Sequence, residues 1–392
     1  MSGMQEAKQQ QSVWIAVIGV IFIAMNLRAP ITSVGPLIPL IQGDFHFSNA
    51  VAGSIMTIPL IAFALFSPFA PRLSLKFGLE PVIYTALVVL LAGMVLRVFP
   101  HGSWLFVGTG LVGIAIAICN VLMPALVKKS FPMKVGLITG VYGISMNVFG
   151  SLASGVSVPL AQSSSLGWRA SLGVWAFLAV LSVILWSFLL KSVRKEKAIE
   201  PPAVKVRMWN SLKAWHVTIF MGIQSFMFYT LLTWLPAILH DQGYTLNQAG
   251  WVVSTLQMAI IPMTFIIPVV AEKMSDQRWL TIGSVILLFL GLIGLITGFL
   301  TVFSVLLIGI GIGTMFGLAM MFFVLRTTDS AQAAGLSGMA QSMGYLLAAV
   351  GPVFFGYLHD LSANWTIPFI LLMLLTVVQL FVGIGASKGK LE

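Results

Sequence analysis

Hydrophobic residues run in blocks of about 20 along this chain, separated by short polar breaks, and within each block they fill every helical face. Runs such as VIYTALVVLLAGMVL (83–96 and flanks) show neither the one-sided stripe of a soluble amphipathic helix nor the alternation of a membrane β-strand. A block of that length crosses a hydrocarbon core roughly 30 Å thick at about 1.5 Å of rise per residue. A helix satisfies its own backbone hydrogen bonds in lipid, so the pattern predicts a helical bundle. Twelve spans are predicted, at 13–40, 49–71, 80–99, 103–127, 135–159, 168–190, 214–239, 248–271, 279–298, 301–325, 335–358 and 365–386.

Composition agrees with the pattern. Of 392 residues, 58% are hydrophobic and 8% charged, too few charges to coat a soluble domain of this size. The first block is too long for a cleavable signal peptide and lacks a small-residue cleavage site. The preceding MSGMQEAKQQQ reads as a polar, mobile tail. One cysteine, Cys119, leaves no intrachain disulfide and no cysteine metal cluster. No cofactor or metal motif is expected.

The net charge of +10 is a matter of placement. With the N-terminus inside, only Arg97 and Arg169 fall in outer loops and Arg28 in a span, while every other lysine and arginine lies on the inner side. That asymmetry supports twelve spans with both termini cytoplasmic, and it makes the basic charge a topology signal, not a nucleic-acid footprint.

KSVRKEKAIEPPAVKVRMWNSLK (191–213) divides the chain. The expected organisation is an N-terminal tail to residue 12, a six-helix bundle over 13–190, the linker 191–213, a second six-helix bundle over 214–386, and a tail from 387. A shift of 197 residues pairs Pro39 with Pro236, Ile41 with Ile238, Ala52-Gly53 with Ala249-Gly250, Pro71 with Pro268, Lys76 with Lys273, Lys129 with Arg326 and Trp168 with Trp365. Two parallel six-helix halves are the architecture of major facilitator transporters, in which substrate binds between the halves near the midplane.

Several stretches carry a closer resemblance. NLRAPITSVGPLIPLI in the first span, LGWRASLGVW (166–175), TWLPAIL (233–239) with Ala249-Gly250, and GLSGMAQSMGYLLAAVGPVFFGYLHDLSANW (335–365) together resemble the cyanate/2-nitroimidazole permease family of major facilitators. The resemblance implies a secondary or facilitative transporter of a small anion or small planar polar solute, working as a monomer by alternating access. APRLSLKFGLEP (70–81) resembles a degraded form of the superfamily's loop between spans two and three, with Leu75 at the acidic position. By that resemblance a conformational latch rests on Lys76, Glu272 and Lys273.

The chemistry within the spans is sparse. Arg28 lies about 15 residues, roughly 22 Å, into the first span, beyond easy snorkelling. All eleven acidic residues are expected in tails or loops, so Arg28 has no carboxylate at its depth. A guanidinium there costs roughly 2.5 to 3.5 kcal/mol on insertion scales, which a bound anion offsets. Its planar fork suits a carboxylate-like or planar ligand at any physiological pH. The alternative is that Arg28 donates to carbonyls freed near Pro30, or to Asn and Gln side chains, and only ties helices together.

Asn120, Tyr142, Asn147, Gln224, Tyr229, Gln257, Gln341 and Tyr345 complete the candidate substrate contacts. Gln341 and Tyr345 share a helix face, as do Gly143 and Asn147. Asn26, about 200° around the helix from Arg28, is assigned to structure. Glycine rows at 108–118 and 309–317 predict close helix packing. Trp234 is placed over the outer mouth of the cavity. The rival functions are export of neutral or amphipathic drugs, and ligand sensing without transport. No nucleophile, base and orienting group can be assembled for an enzyme.

Overall fold

The computed structural model describes residues 2–47, 49–193 and 208–391; the central part of the expected linker, 194–207, lies outside them. Fifteen α-helices follow in order: α1 Ser2–Thr32, α2 Ile38–Phe45, α3 Asn49–Phe66, α4 Phe69–Phe77, α5 Leu79–Leu96, α6 Gly102–Ser130, α7 Val135–Gln162, α8 Trp168–Gly173, α9 Ala176–Val193, α10 Leu212–Asp241, α11 Leu246–Lys273, α12 Arg278–Thr297, α13 Thr301–Leu325, α14 Ser330–Ser362 and α15 Thr366–Ala386. Eleven of the described segments are long and apolar enough to cross a membrane, or twelve when the bent pair α3–α4 counts as one span.

Proline accounts for the breaks. α3 and α4 meet at 57° where Pro68 follows Ser67, because the ring removes an N–H and crowds the residue before it. The first span, expected as one run to residue 40, stops at Thr32. Val34 N–H bonds the carbonyl of Ile31, a 3-10 turn Gly35–Leu37 follows with Pro36 inside it, and α2 starts at Ile38. At the other end, α1 runs back to Ser2, so the described residues of the expected mobile tail, SGMQEAKQQQ, continue the helix.

The chain forms two compact units. The first holds α1 to α6, α8, α9 and α7 from Val141 onward. The second holds α10 to α15 with Met133–Gly140, the start of α7.

Inside each unit, helices meet at glycines. A Cβ on Gly113 of α6 would lie 2.9 Å from the Cα of Pro59 in α3, and one on Gly108 would lie 2.6 Å from the carbonyl oxygen of Gly93 in α5. In the second unit, Gly309 and Gly313 of α13 meet the Leu256 and Ile260 carbonyls of α11 at 2.7 and 2.9 Å in the same sense. Both glycine rows therefore serve backbone-to-backbone packing, which lipid-immersed helices need because hydrophobic exclusion does not drive them together.

The 197-residue repeat recurs as contacts. In the first unit Trp168 Nε1 donates to Asp44 Oδ2 at 2.8 Å; in the second, Trp365 Nε1 donates to Asp241 Oδ2, also at 2.8 Å. Lys129 pairs with Glu80 in the first unit, and Arg326 donates to Gln277 in the second. Each partner lies 197 residues from its counterpart.

Candidate functional site

Within the first unit, α1 and α7 cross where Arg28 meets Gly150. A Cβ on Gly150 would fall 2.4 Å from Arg28 Cγ and 3.2 Å from its Cβ, so only glycine leaves room for the stem of the arginine. One turn further along α1, Thr32 Oγ1 donates to the Gly150 carbonyl at 2.7 Å and fixes the crossing. Tyr142, two turns back along the same face of α7, is 4% exposed. Its hydroxyl donates to Asn120 Oδ1 of α6 at 3.1 Å. Three of the sequence-predicted residues, from three helices, thus belong to one unit: a half-buried arginine at the α1–α7 crossing, and a phenol–amide pair between α7 and α6.

Asn147 Nδ2 folds back onto the Gly143 carbonyl of its own helix at 2.9 Å. In the second unit, Gln341 is buried on α14 and donates to Ser337 Oγ one turn away. Gln224 is buried on α10 and accepts from Ser225 Oγ. Tyr229 is half-buried beside Phe228, and Tyr345 is half-buried one turn after Gln341. Gln257 is exposed on α11. Trp234 donates to the Pro352 carbonyl at 2.7 Å and packs its ring on Gly356, so a small residue on α14 draws it into the α10–α14 contact. Asn26 has the structural place expected of it, donating to Ser182 Oγ and the Phe22 carbonyl at 2.8 Å each.

Two charge placements are corrected. Arg97, expected in an outer loop, is 1% exposed at the end of α5. Its stem crosses Gly108, and its Nη1 donates at 2.6 Å to the Pro30 carbonyl, which the helix break of α1 has left without Val34 N–H. Arg28 is therefore not the only basic residue in the interior. A long stem lets a loop-end arginine reach inward as easily as outward, which hydropathy does not register. Glu80, also expected in a loop, sits in the first turn of α5, 7% exposed and paired with Lys129. A helix N-terminus and a lysine together make that burial tolerable.

Of the latch residues, Lys76 is exposed with its ammonium 5.1 Å from the ring centre of Phe77. Lys273 is exposed in the last turn of α11. Glu272 is half-buried, and its carboxylate faces the first turn of α7, 2.6 Å from where a Cβ on Gly136 would stand. Among the described residues none of the three forms an ion pair.

Known proteins place this architecture. The chain is 43% identical over 387 residues to the uncharacterised transporter YycB of Bacillus subtilis (strain 168), covering 98% of this chain and 96% of that one. It is 36% identical over 380 residues to the 2-nitroimidazole transporter of Escherichia coli (strain K12), covering 96% of each, and 24% identical over 350 residues to the cyanate transport protein CynX of the same strain, covering 88% and 90%. A crystal structure of a double-tryptophan variant of XylE matches the fold with a TM-score of 0.80 at 12% identity, over 98% of this chain and 97% of that one. The family model described as Major Facilitator Superfamily matches residues 16–349. Two units that repeat each other's contacts at a fixed offset, in a chain that follows such transporters nearly end to end, make this protein a multi-pass membrane transporter of the major facilitator superfamily.

Proposed function

We propose that the protein moves a small anion or small planar polar solute, of the size of cyanate or a nitroimidazole, by rocker-switch alternating access, with Arg28 as the principal contact. The observation that carries this reading is Arg28 half-buried over Gly150 at the crossing of α1 with α7, with the Tyr142–Asn120 hydrogen bond in the same unit. A guanidinium presents paired donors to a planar anion, and a phenol hydrogen-bonded to an amide offers polar edges that orient a planar ring or a linear triatomic. Asn147 in the first unit and Gln224, Tyr229, Gln257, Gln341 and Tyr345 in the second are the further candidate substrate contacts.

Lys76, Glu272 and Lys273 act as the latch of one conformation, a reading supported by the Glu272 carboxylate at the start of α7, where the helix dipole favours a negative charge. The protein resides in the cytoplasmic membrane as a monomer with both termini inside, supported by the distribution of lysine and arginine.

Charge movement in proteoliposomes after rapid addition of cyanate and related small anions tests the reading, comparing the unaltered protein with Arg28→Gln. A current that Arg28→Gln abolishes in folded protein is expected. Absence of current for every anion, with counterflow of a neutral solute that survives Arg28→Gln, makes Arg28 a helix clamp and points to export of neutral drugs.

A further inference from the structure

The repeat is broken at one contact, and the break identifies a partner. In the first unit the cation at the end of α6, Lys129, is neutralised by Glu80. At the equivalent place in the second unit the cation is kept as Arg326, at the end of α13, but the acid is Gln277. Arg326 is 4% exposed; burial lowers its guanidinium to about 10 against the opposing charge of the neighbouring Asp276, which is itself paired with Arg278 at 3.4 Å, so Arg326 is charged at neutral pH. Among the described residues Asp276 forms no ion pair with Arg326, so the buried guanidinium still requires a hydrogen-bonding source of negative potential in place of the lost carboxylate.

The chain supplies it locally. α15 ends at Ala386, and the segment Ser387–Leu391 folds back over Arg326. Arg326 Nη2 donates to the Ser387 carbonyl at 2.7 Å and Nη1 to the Gly389 carbonyl at 3.1 Å, where a positive φ of 76° turns the chain. Leu391, 6% exposed, returns its N–H to the Arg326 carbonyl at 2.7 Å. Lys213 at the start of α10 donates to the Lys390 carbonyl, and Gln277 N–H to the Ser387 carbonyl. These carbonyls lie at the negative end of the α15 dipole. The equivalent stretch of the first unit, 190–193, simply continues α9 as helix.

We propose that this end of the second unit is a docking surface for the chain's own segment Ser387–Leu391, and that the segment's carbonyls replace the carboxylate which the first unit carries at Glu80. The docked segment and an acid at position 277 are then alternatives: either one holds Arg326, and through it the ends of α10, α12 and α13.

Four purified proteins test this: the unaltered chain, Gln277→Glu, a chain lacking residues 387–392, and the combination, each followed by its melting midpoint in detergent. Removal of the segment is expected to lower the midpoint by several degrees in the Gln277 background, and Gln277→Glu is expected to restore more than half of that loss, a coupling that two independent sites would not show. Equal loss in both backgrounds, or no loss in either, overturns the proposal. Should the shortened chains not fold, hydrogen exchange of the full-length chain decides the matter. Arg326→Gln is then expected to speed exchange across 387–391 at least tenfold, and unchanged protection there overturns the proposal.

Discussion

Replacing Gly150 by alanine perturbs the proposed site without touching its polar atoms. The added methyl would stand 2.4 Å from Arg28 Cγ and 3.2 Å from Arg28 Cβ, about 1 Å inside ordinary contact for the nearer atom. Those atoms are at the root of the side chain, so relief requires moving the whole arginine or parting α1 from α7, and the Thr32 bond to the Gly150 carbonyl at 2.7 Å opposes the latter. Overpacking of this kind costs about 1–3 kcal/mol. If the cost falls on the orientation in which Arg28 holds ligand, the half-saturating concentration in a counterflow assay rises by roughly 5- to 150-fold, at 1.4 kcal/mol per tenfold. Gly155→Ala on the same helix is the control, because nothing lies within 4 Å of its Cβ position. In an Arg28→Ala background the obstructing Cγ is gone, so Gly150→Ala should leave the melting midpoint nearly unchanged there while lowering it in the parent. An unaltered half-saturation in Gly150→Ala protein that melts lower than the parent would refute the link between the Arg28 stem and ligand binding.

Arg97→Ala leaves the Pro30 carbonyl unpaired and a void over Gly108, and is expected to cost about 2–4 kcal/mol, read as a lower melting midpoint of the purified protein. Trp168→Phe and Trp365→Phe each remove one indole-to-carboxylate bond of the same length; thermal melts should show similar losses, on the order of 1 kcal/mol each because the carboxylates are partly exposed. On α6, Gly113→Ala should lower the melting midpoint because its Cβ meets the Pro59 backbone at 2.9 Å, while Gly110→Ala, with only Ile58 at 3.9 Å, should not.

Spans, repeat and glycine packing were legible in the order of the residues. Hydrocarbon imposes a fixed length and total apolarity on a helix, and both are one-dimensional properties of a sequence. The same rule placed Arg28 at depth and marked it as a residue needing compensation. Tyr142 and Asn120 were nameable as polar residues in apolar runs, but nothing in the order of residues joins positions 120 and 142; that contact depends on helix rotation, which an all-apolar face does not encode. Arg97 and Glu80 were misplaced for a related reason. Hydropathy locates a backbone, whereas a long side chain at a span end is directed by its packing, here across Gly108 to a carbonyl released by a proline break. The repeat showed Lys129 and Arg326 as equivalent; only the folded chain revealed that one is held by a carboxylate and the other by the carbonyls of Ser387 and Gly389, because backbone carbonyls are present at every residue and become ligands only where the chain turns to present them.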